Sequence, residues 1–295
     1  MTQPVSLPHS AVVEACPDLI GLVETQWRQL AIDDATLGTP ATQTAWRHRL
    51  HSELGEQWGQ LVRRVRAGLD ATPHAVVVAP RPGKPASIPL LAALSVALGM
   101  LTVPHTAGQA LHVLRRHSAD GADTRWHTDG AGWARQNVFT CLLCATPAER
   151  GGATELLPWT VLREALASDH GLLRQLQTTA IPWVLDDDSQ AGTVFAPIVA
   201  PDGLRYLREQ IDSAAQSFPE QAQELHDLDE RLHQSLRSVR GHLAWRLSEG
   251  EILLFDNRRC LHRRGPLPPG DVGDRTLVRT RLVDPVWART AMPLF

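Results

Sequence analysis

Gly250-Glu251-Ile252-Leu253-Leu254-Phe255-Asp256-Asn257-Arg258-Arg259-Cys260-Leu261-His262 reads as a short apolar strand, opened by a glycine, that delivers a polar cluster at its end. An apolar run of this length bounded by turn residues has the size of a buried strand, not of a helix. The same signature recurs on either side, at 137–145, 153–157, 181–186, 193–199, 242–247 and 275–283. Short strands punctuated by Gly and Pro predict an antiparallel sandwich or barrel from about Trp126 onward.

Upstream of that region, residues 18–70 have the mixed polar and apolar spacing of helix, through Trp27, Leu30, Trp46, Leu50, Trp58 and Leu61. Ala75-Val-Val-Val-Ala79 reads as a buried strand, and Ile88–Val103 as a buried apolar helix. Between the last two groups of strands, Leu225, Leu228, Leu232, Leu236 and Val239 recur at three and four residues. This predicts one amphipathic helix over about 219–239, with Pro219 in its first turn, inserted on the outside of the sheet. No linker composition divides the 295 residues, so the expectation is a single domain over 1–295, with 1–74 a helical N-terminal part and 75–285 the β core.

The net charge of -3 provides no global field for nucleic acid or an anionic membrane surface, and neither is an expected partner. The run 88–103 contains Pro89, Ser95 and Gly99 and is shorter than the ~20 residues that span a bilayer. The N-terminus lacks a basic n-region. With four cysteines and no export signal, free thiols and a cytoplasmic location are expected. Cys141 and Cys144 form a Cys-x-x-Cys, but within a buried strand residues three apart point to opposite faces, so the pair is read as core.

The chemistry lies in Arg125-Trp126-His127-Thr128-Asp129-Gly130. On a strand His127 and Asp129 would share a face, and His262 could join them from a distant strand. Two imidazoles and one carboxylate can occupy one face of a metal octahedron and leave the other open, the ligand set of non-haem Fe(II) oxygenases. The bland alternatives are a hydrogen-bonded histidine beside Trp126 and a solvated basic loop around His262. Arg275, Leu277 and Arg279 share one face of the last strand, which either meets solvent or points inward to bind anions through the guanidinium fork.

Taken together, Trp126-His127-Thr128-Asp129, Gly151-Gly152-Ala153-Thr154, Asp256-Asn257-Arg258 running to His262, and Arg275 with Arg279 resemble the Fe(II)/2-oxoglutarate dioxygenases of the taurine dioxygenase and clavaminate synthase-like group. The resemblance covers about residues 75–285. It implies an α+β fold with a double-stranded β-helix, or jelly roll, flanked by helices. It implies Fe(II) bound by His127, Asp129 and His262, and 2-oxoglutarate held by Arg275 and Thr154, with O2 as the further co-substrate. By the same resemblance Arg279 would hold an acidic group of the primary substrate. Related halogenases have a small residue where Asp129 stands, so its presence implies hydroxylation, desaturation or cyclisation.

Trp133, in the loop after Asp129 with Arg135 and Gln136, is a candidate lid over the substrate. The acidic run Asp186-Asp187-Asp188 is read as solvated, and Pro201-Asp202-Gly203 as a turn. The expected function is oxygenation of a small acidic, amino-acid-like metabolite, free or presented on a carrier protein, in secondary metabolism. A jelly-roll metal-binding or sensor protein is the other class, disfavoured because a non-catalytic binder has no need of Arg275. A Cys260/His262 hydrolase lacks a third member.

Overall fold

The computed structural model describes residues 5–82, 84–103, 109–115, 125–185, 192–201, 203–266 and 275–283, leaving Asp186–Asp188 outside the described residues. The chain begins with β1 (Val5–Ser6) and β2 (Val12–Ala15), then α1 (Pro17–Gln29), α2 (Asp34–Leu37) and α3 (Pro40–Asp70). It continues through β3 (Ala75–Pro80), α4 (Ile88–Leu98), β4 (Met100–Leu101), β5 (His112–Arg115), β6 (Phe139–Thr146) and β7 (Thr154–Pro158). Next come α5 (Trp159–Ala165), α6 (His170–Thr178), β8 (Ile181–Val184), β9 (Thr193–Ala196), β10 (Val199–Ala200), β11 (Gly203–Leu204), α7 (Arg208–Ser217) and α8 (Ala222–Ser238). The last strands are β12 (Leu243–Trp245), β13 (Ile252–Asp256), β14 (Cys260–Arg264) and β15 (Thr276–Val283).

Two sheets face each other. The larger has the order β2-β3-β13-β6-β15-β4, with β5 also on β15, and the smaller has β1-β12-β7-β14. Pairing is antiparallel except where β1 meets β12 and β2 meets β3. The N-terminal part is therefore not purely helical, because its two short strands complete both sheets.

Period two decides which layer each side chain enters. On the larger sheet Val77, Leu142, Leu253 and Leu277 point inward and meet Leu156, Leu243 and Cys260 of the smaller sheet in one cluster. Their neighbours Val76, Val78, Leu143, Leu254 and Val278 point outward into a second cluster with α1, α3 and α4. On the smaller sheet Leu157 and Leu261 point outward into a third, with α5 to α8. The result is four layers of mixed α+β structure: helices, larger sheet, smaller sheet, helices.

The Cys-x-x-Cys follows the same rule, with Cys141 in the helix-side cluster and Cys144 between the sheets. Burial raises their thiols to about 12 and about 11, and neither is positioned as a redox pair. Burial likewise raises Cys260, whose Sγ lies 3.4 Å from the Pro73 carbonyl, leaving no nucleophile of the hydrolase type.

Helix α3 buries Trp46, Leu50, Leu54, Trp58, Leu61, Val65 and Leu69, one residue per turn. Thr39 caps it and Pro40 opens it; Gly55 kinks it with φ 55°, a conformation costly for any other residue. The predicted helix over 219–239 is a 3-10 turn at Pro219–Gln221 followed by α8, which packs on α7 and α6. No helix among the described residues is long and apolar enough to cross a membrane.

Candidate metal centre and its cavity

The gap between the sheets is where the polar inward positions collect. His262 lies on β14, a distant strand as the ligand reading required and not the solvated loop of the alternative, opposite Leu156 of β7. The inward residues of that strand are Cys260, His262 and Arg264, so its alternation is masked by functional polar side chains.

His127 forms an isolated antiparallel bridge to His262, with backbone bonds of 3.0 and 2.8 Å in the two directions. The His-x-Asp is thus not on a strand of its own: His127 is the bridge residue and Asp129 opens a turn. Gly130 continues that turn at φ 65°, where a Cβ would lie 3.0 Å from the Trp133 ring.

The turn is tied down from its backbone. Asn257 Oδ1 accepts from the Asp129 N–H at 2.7 Å, and its Nδ2 donates to the Asp129 and Asn137 carbonyls, each at 3.0 Å. The chain's two asparagines therefore both lie at this turn.

Ligand atoms of His127, Asp129 and His262 all lie within 4.8 Å of one another. The His127 Nδ1 is 2.8 Å from the Arg125 carbonyl, which leaves Nε2 as its outward ligand atom. His262 Nε2 is 3.8 Å from Asp129 Oδ2. Burial and the neighbouring His127 hold the His262 imidazole neutral, the form that ligates. Two imidazoles and one carboxylate converging from a bridge, a turn and a strand fit a divalent first-row metal with open coordination positions.

Asp129 is buried, its side chain 3% exposed. Burial would raise its carboxyl, but Arg279 and Arg281 outweigh that effect and hold it well below the usual carboxylate range. Arg279 Nη1 donates to Oδ1 at 2.9 Å and Arg281 Nη2 to the same atom at 3.1 Å, while Thr140 Oγ1 donates to Oδ2 at 2.9 Å.

A cavity of about 250 Å³ opens beside this cluster, lined by His127, Thr140, Leu142, Thr154, His262, Arg275, Leu277 and Arg279, with Leu114, Arg115, Arg263 and Arg264 completing the wall. The Arg275/Leu277/Arg279 face accordingly points inward. Arg275 Nη2 is 3.1 Å from Thr154 Oγ1. Burial lowers Arg275 to about 10, which leaves it charged at neutral pH.

Trp133 departs from its expected place. It is not among the residues lining the cavity; its ring stands 4.9 Å from Arg281 Cζ in a cation–π contact. Gln136 donates to Thr128 Oγ1 at 2.8 Å and serves the turn. Arg281 and Thr140 were not singled out in the sequence. Arg281 continues the 275, 277, 279 period by one step, so its signal was present; Thr140 lies in an apolar strand and carries none.

With this geometry in view, the comparisons with known proteins are specific. The model of the taurine catabolism dioxygenase TauD, TfdA family matches residues 91–281. A search of curated proteins finds no significant match. Among solved structures, asparagine oxygenase superposes with a TM-score of 0.67 at 19% identity, covering 93% of each chain. The non-heme iron oxygenase OrfP, in complex with Fe and alpha-ketoglutaric acid, superposes with a TM-score of 0.60 at 17% identity over 94% of each chain. These likenesses establish the fold; the family match spans most of the chain and includes every residue of the converging set. The chain belongs to the TauD/TfdA dioxygenase family, the Fe(II)- and 2-oxoglutarate-dependent oxygenases.

Proposed function

We propose that this protein oxidises a C–H bond of a small acidic, amino-acid-like molecule, by hydroxylation or by a desaturation or cyclisation that begins with the same hydrogen abstraction. His127, Asp129 and His262 would hold Fe(II), and Arg275 with Thr154 would hold 2-oxoglutarate. The observation that carries this reading is the convergence of the three donor atoms within 4.8 Å beside a cavity whose wall carries the Arg275–Thr154 pair. Fe(II) with 2-oxoglutarate and O2 supplies, when bound, the oxidant for C–H abstraction.

The chain's own residues bind and orient. Arg275 offers a planar fork matched to a carboxylate, and Thr154 Oγ1 supplies one further hydrogen bond beside it. A sensor would have no use for that pair. Leu142, Leu277 and Leu114 supply apolar wall, which limits water and fixes the substrate's place in the cavity.

Solved relatives include asparagine oxygenase in complex with Fe(II), 3-hydroxyasparagine and succinate, and OrfP in complex with a dihydroxylated arginine and succinate. Those complexes support an amino-acid-like substrate here; in this reading it is free or presented on a carrier protein and belongs to secondary metabolism. In the same reading the two facing sheets form a double-stranded β-helix, and residues 1–295 are one cytoplasmic dioxygenase domain.

Anaerobic addition of Fe(II) and 2-oxoglutarate is expected to produce the weak visible charge-transfer band of a metal-chelated 2-oxo acid. Protein shown by metal analysis to contain iron but giving no band would defeat the reading.

Arg279 is the candidate for the substrate's acidic group, because it lines the cavity and its Nε is buried without a hydrogen-bond partner among the described residues. Arg279→Leu should raise KM for the primary substrate by about 10-fold or more, the loss of one charge-assisted bond, and alter KM for 2-oxoglutarate much less. Equal effects on the two would assign Arg279 to the co-substrate instead.

A further inference from the structure

Two arginines reach the same oxygen of Asp129, and their surroundings differ. Both are largely buried, at 14% exposure for Arg279 and 17% for Arg281, but Arg279 lines the cavity, so a bound anion can compete with Asp129 for its guanidinium. Arg281 is not among the cavity residues; its Nη2 donates to Asp129 Oδ1 at 3.1 Å while its Cζ stands over the Trp133 ring at 4.9 Å. Arg281 also pairs in register with Thr140, whose hydroxyl holds the other carboxylate oxygen. Oδ2, the oxygen 3.8 Å from His262 Nε2, is the one turned toward the imidazoles.

We infer that Arg281, backed by Trp133, is the positioning residue that keeps Asp129 Oδ1 engaged and Oδ2 turned toward the metal while Arg279 is drawn to the substrate's acidic group. The inference rests on the assignment of Asp129 as a metal ligand. Its physical basis is a division between an exchangeable guanidinium and a fixed one. If Arg279 alone held Oδ1, recruiting it to substrate would release the carboxylate to rotate between monodentate and chelating positions. Arg281 removes that freedom, because the Trp133 ring packed on its planar group holds it beside Oδ1, outside the residues that line the cavity. Trp133 thereby acts on the metal through Arg281 and not as a substrate lid.

The test compares wild type, Arg281→Leu, Arg281→Lys and Trp133→Leu, each checked for folding by thermal unfolding, in anaerobic Fe(II) titrations with and without saturating 2-oxoglutarate. Loss of a group that orients a metal ligand typically weakens metal affinity about 10–100-fold. Arg281→Leu should show a loss of that size together with a shifted charge-transfer band. Arg281→Lys should recover part of it, and Trp133→Leu should move both readouts in the same direction by less. At saturating iron, the affinity of Arg281→Leu for 2-oxoglutarate should stay within about 3-fold of wild type, since Arg275 and Thr154 are untouched.

A folded Arg281→Leu protein with wild-type iron affinity and an unshifted band overturns the inference. Should that variant not fold, wild-type values for both Arg281→Lys and Trp133→Leu overturn it equally. If wild type itself gives no band, the assignment of the metal centre fails; if wild type gives the band and the variants match it, only the role of Arg281 fails.

Discussion

Replacing His262 by Ala is expected to reduce substrate-dependent succinate release to background and to abolish the charge-transfer band, while leaving a folded protein. The backbone of residue 262 keeps its bridge to His127 and its ladder to β7, so the strand persists without the imidazole. The lost ring also packs on Phe255, at 4.9 Å between centroids, so some stability is lost too. Asp129→Ala should give the same activity loss with a much larger structural cost. It would strand Arg279 and Arg281, both largely buried, opposite an empty position. Breaking a buried ion pair from one side costs about 3–5 kcal/mol, against a typical domain stability of about 5–15 kcal/mol. His262→Ala is therefore the cleaner test of ligation. A ligand present at about 100 times its Kd stabilises the folded state by about 2.7 kcal/mol, so Fe(II) with 2-oxoglutarate should raise the Tm of wild type and not that of the variant. A His262→Ala protein that still releases succinate on substrate addition would remove His262 from the ligand set.

Arg275→Leu is the second large effect. Arg275, immediately before β15, lines the cavity between the sheets, stays charged despite its burial, and has Thr154 Oγ1 at 3.1 Å as its described partner. Truncating one partner of a buried, hydrogen-bonded charge pair costs about 2–5 kcal/mol, on the order of 30- to several-thousand-fold in affinity. The KM for 2-oxoglutarate should rise by that much, with Fe(II) affinity in its absence changed little. Lys at the same position keeps the charge but loses the fork, so Arg275→Lys should recover only a small part. Thr154→Val, which removes one hydroxyl, should cost less than Arg275→Leu. Titration of the band with 2-oxoglutarate reads all three variants directly, and an unchanged midpoint for Arg275→Leu would remove it from the co-substrate site.

Much of the scaffold was legible because burial leaves a local pattern. The strands β3, β6 and β13 are short apolar runs bounded by turn residues, the helices within 18–70 and around Leu225–Leu236 follow a repeat of about 3.6, and these elements, with β7 and β15, were each found within a few residues. What escaped were elements whose pattern is interrupted. Strand β14 carries His262 and Arg264 on its inward face, so its alternation reads as a basic loop. Helices α5, α6 and α7 are short, and β1 and β2 are stabilised by pairing with distant strands, not by local propensity.

The candidate site divides along a similar line. Residue types and period singled out His127, Asp129, His262, Arg275 and Arg279, because ligation and anion binding demand particular side chains that no neighbour can replace; Thr154 was marked only by the family resemblance. Sequence also placed Arg275, Leu277 and Arg279 on one face, but not which way that face points. Only the packing of the smaller sheet over the larger turned it inward, by giving Leu277 apolar partners on β7 and β12 and so carrying both arginines into the gap. Tertiary structure alone likewise brought Arg281 and Thr140 onto the two oxygens of Asp129 and stood Trp133 under a guanidinium instead of on the cavity wall. A period along one strand is local and survives in the sequence; which oxygen a guanidinium reaches depends on a turn 152 positions away, and nothing local encodes that distance.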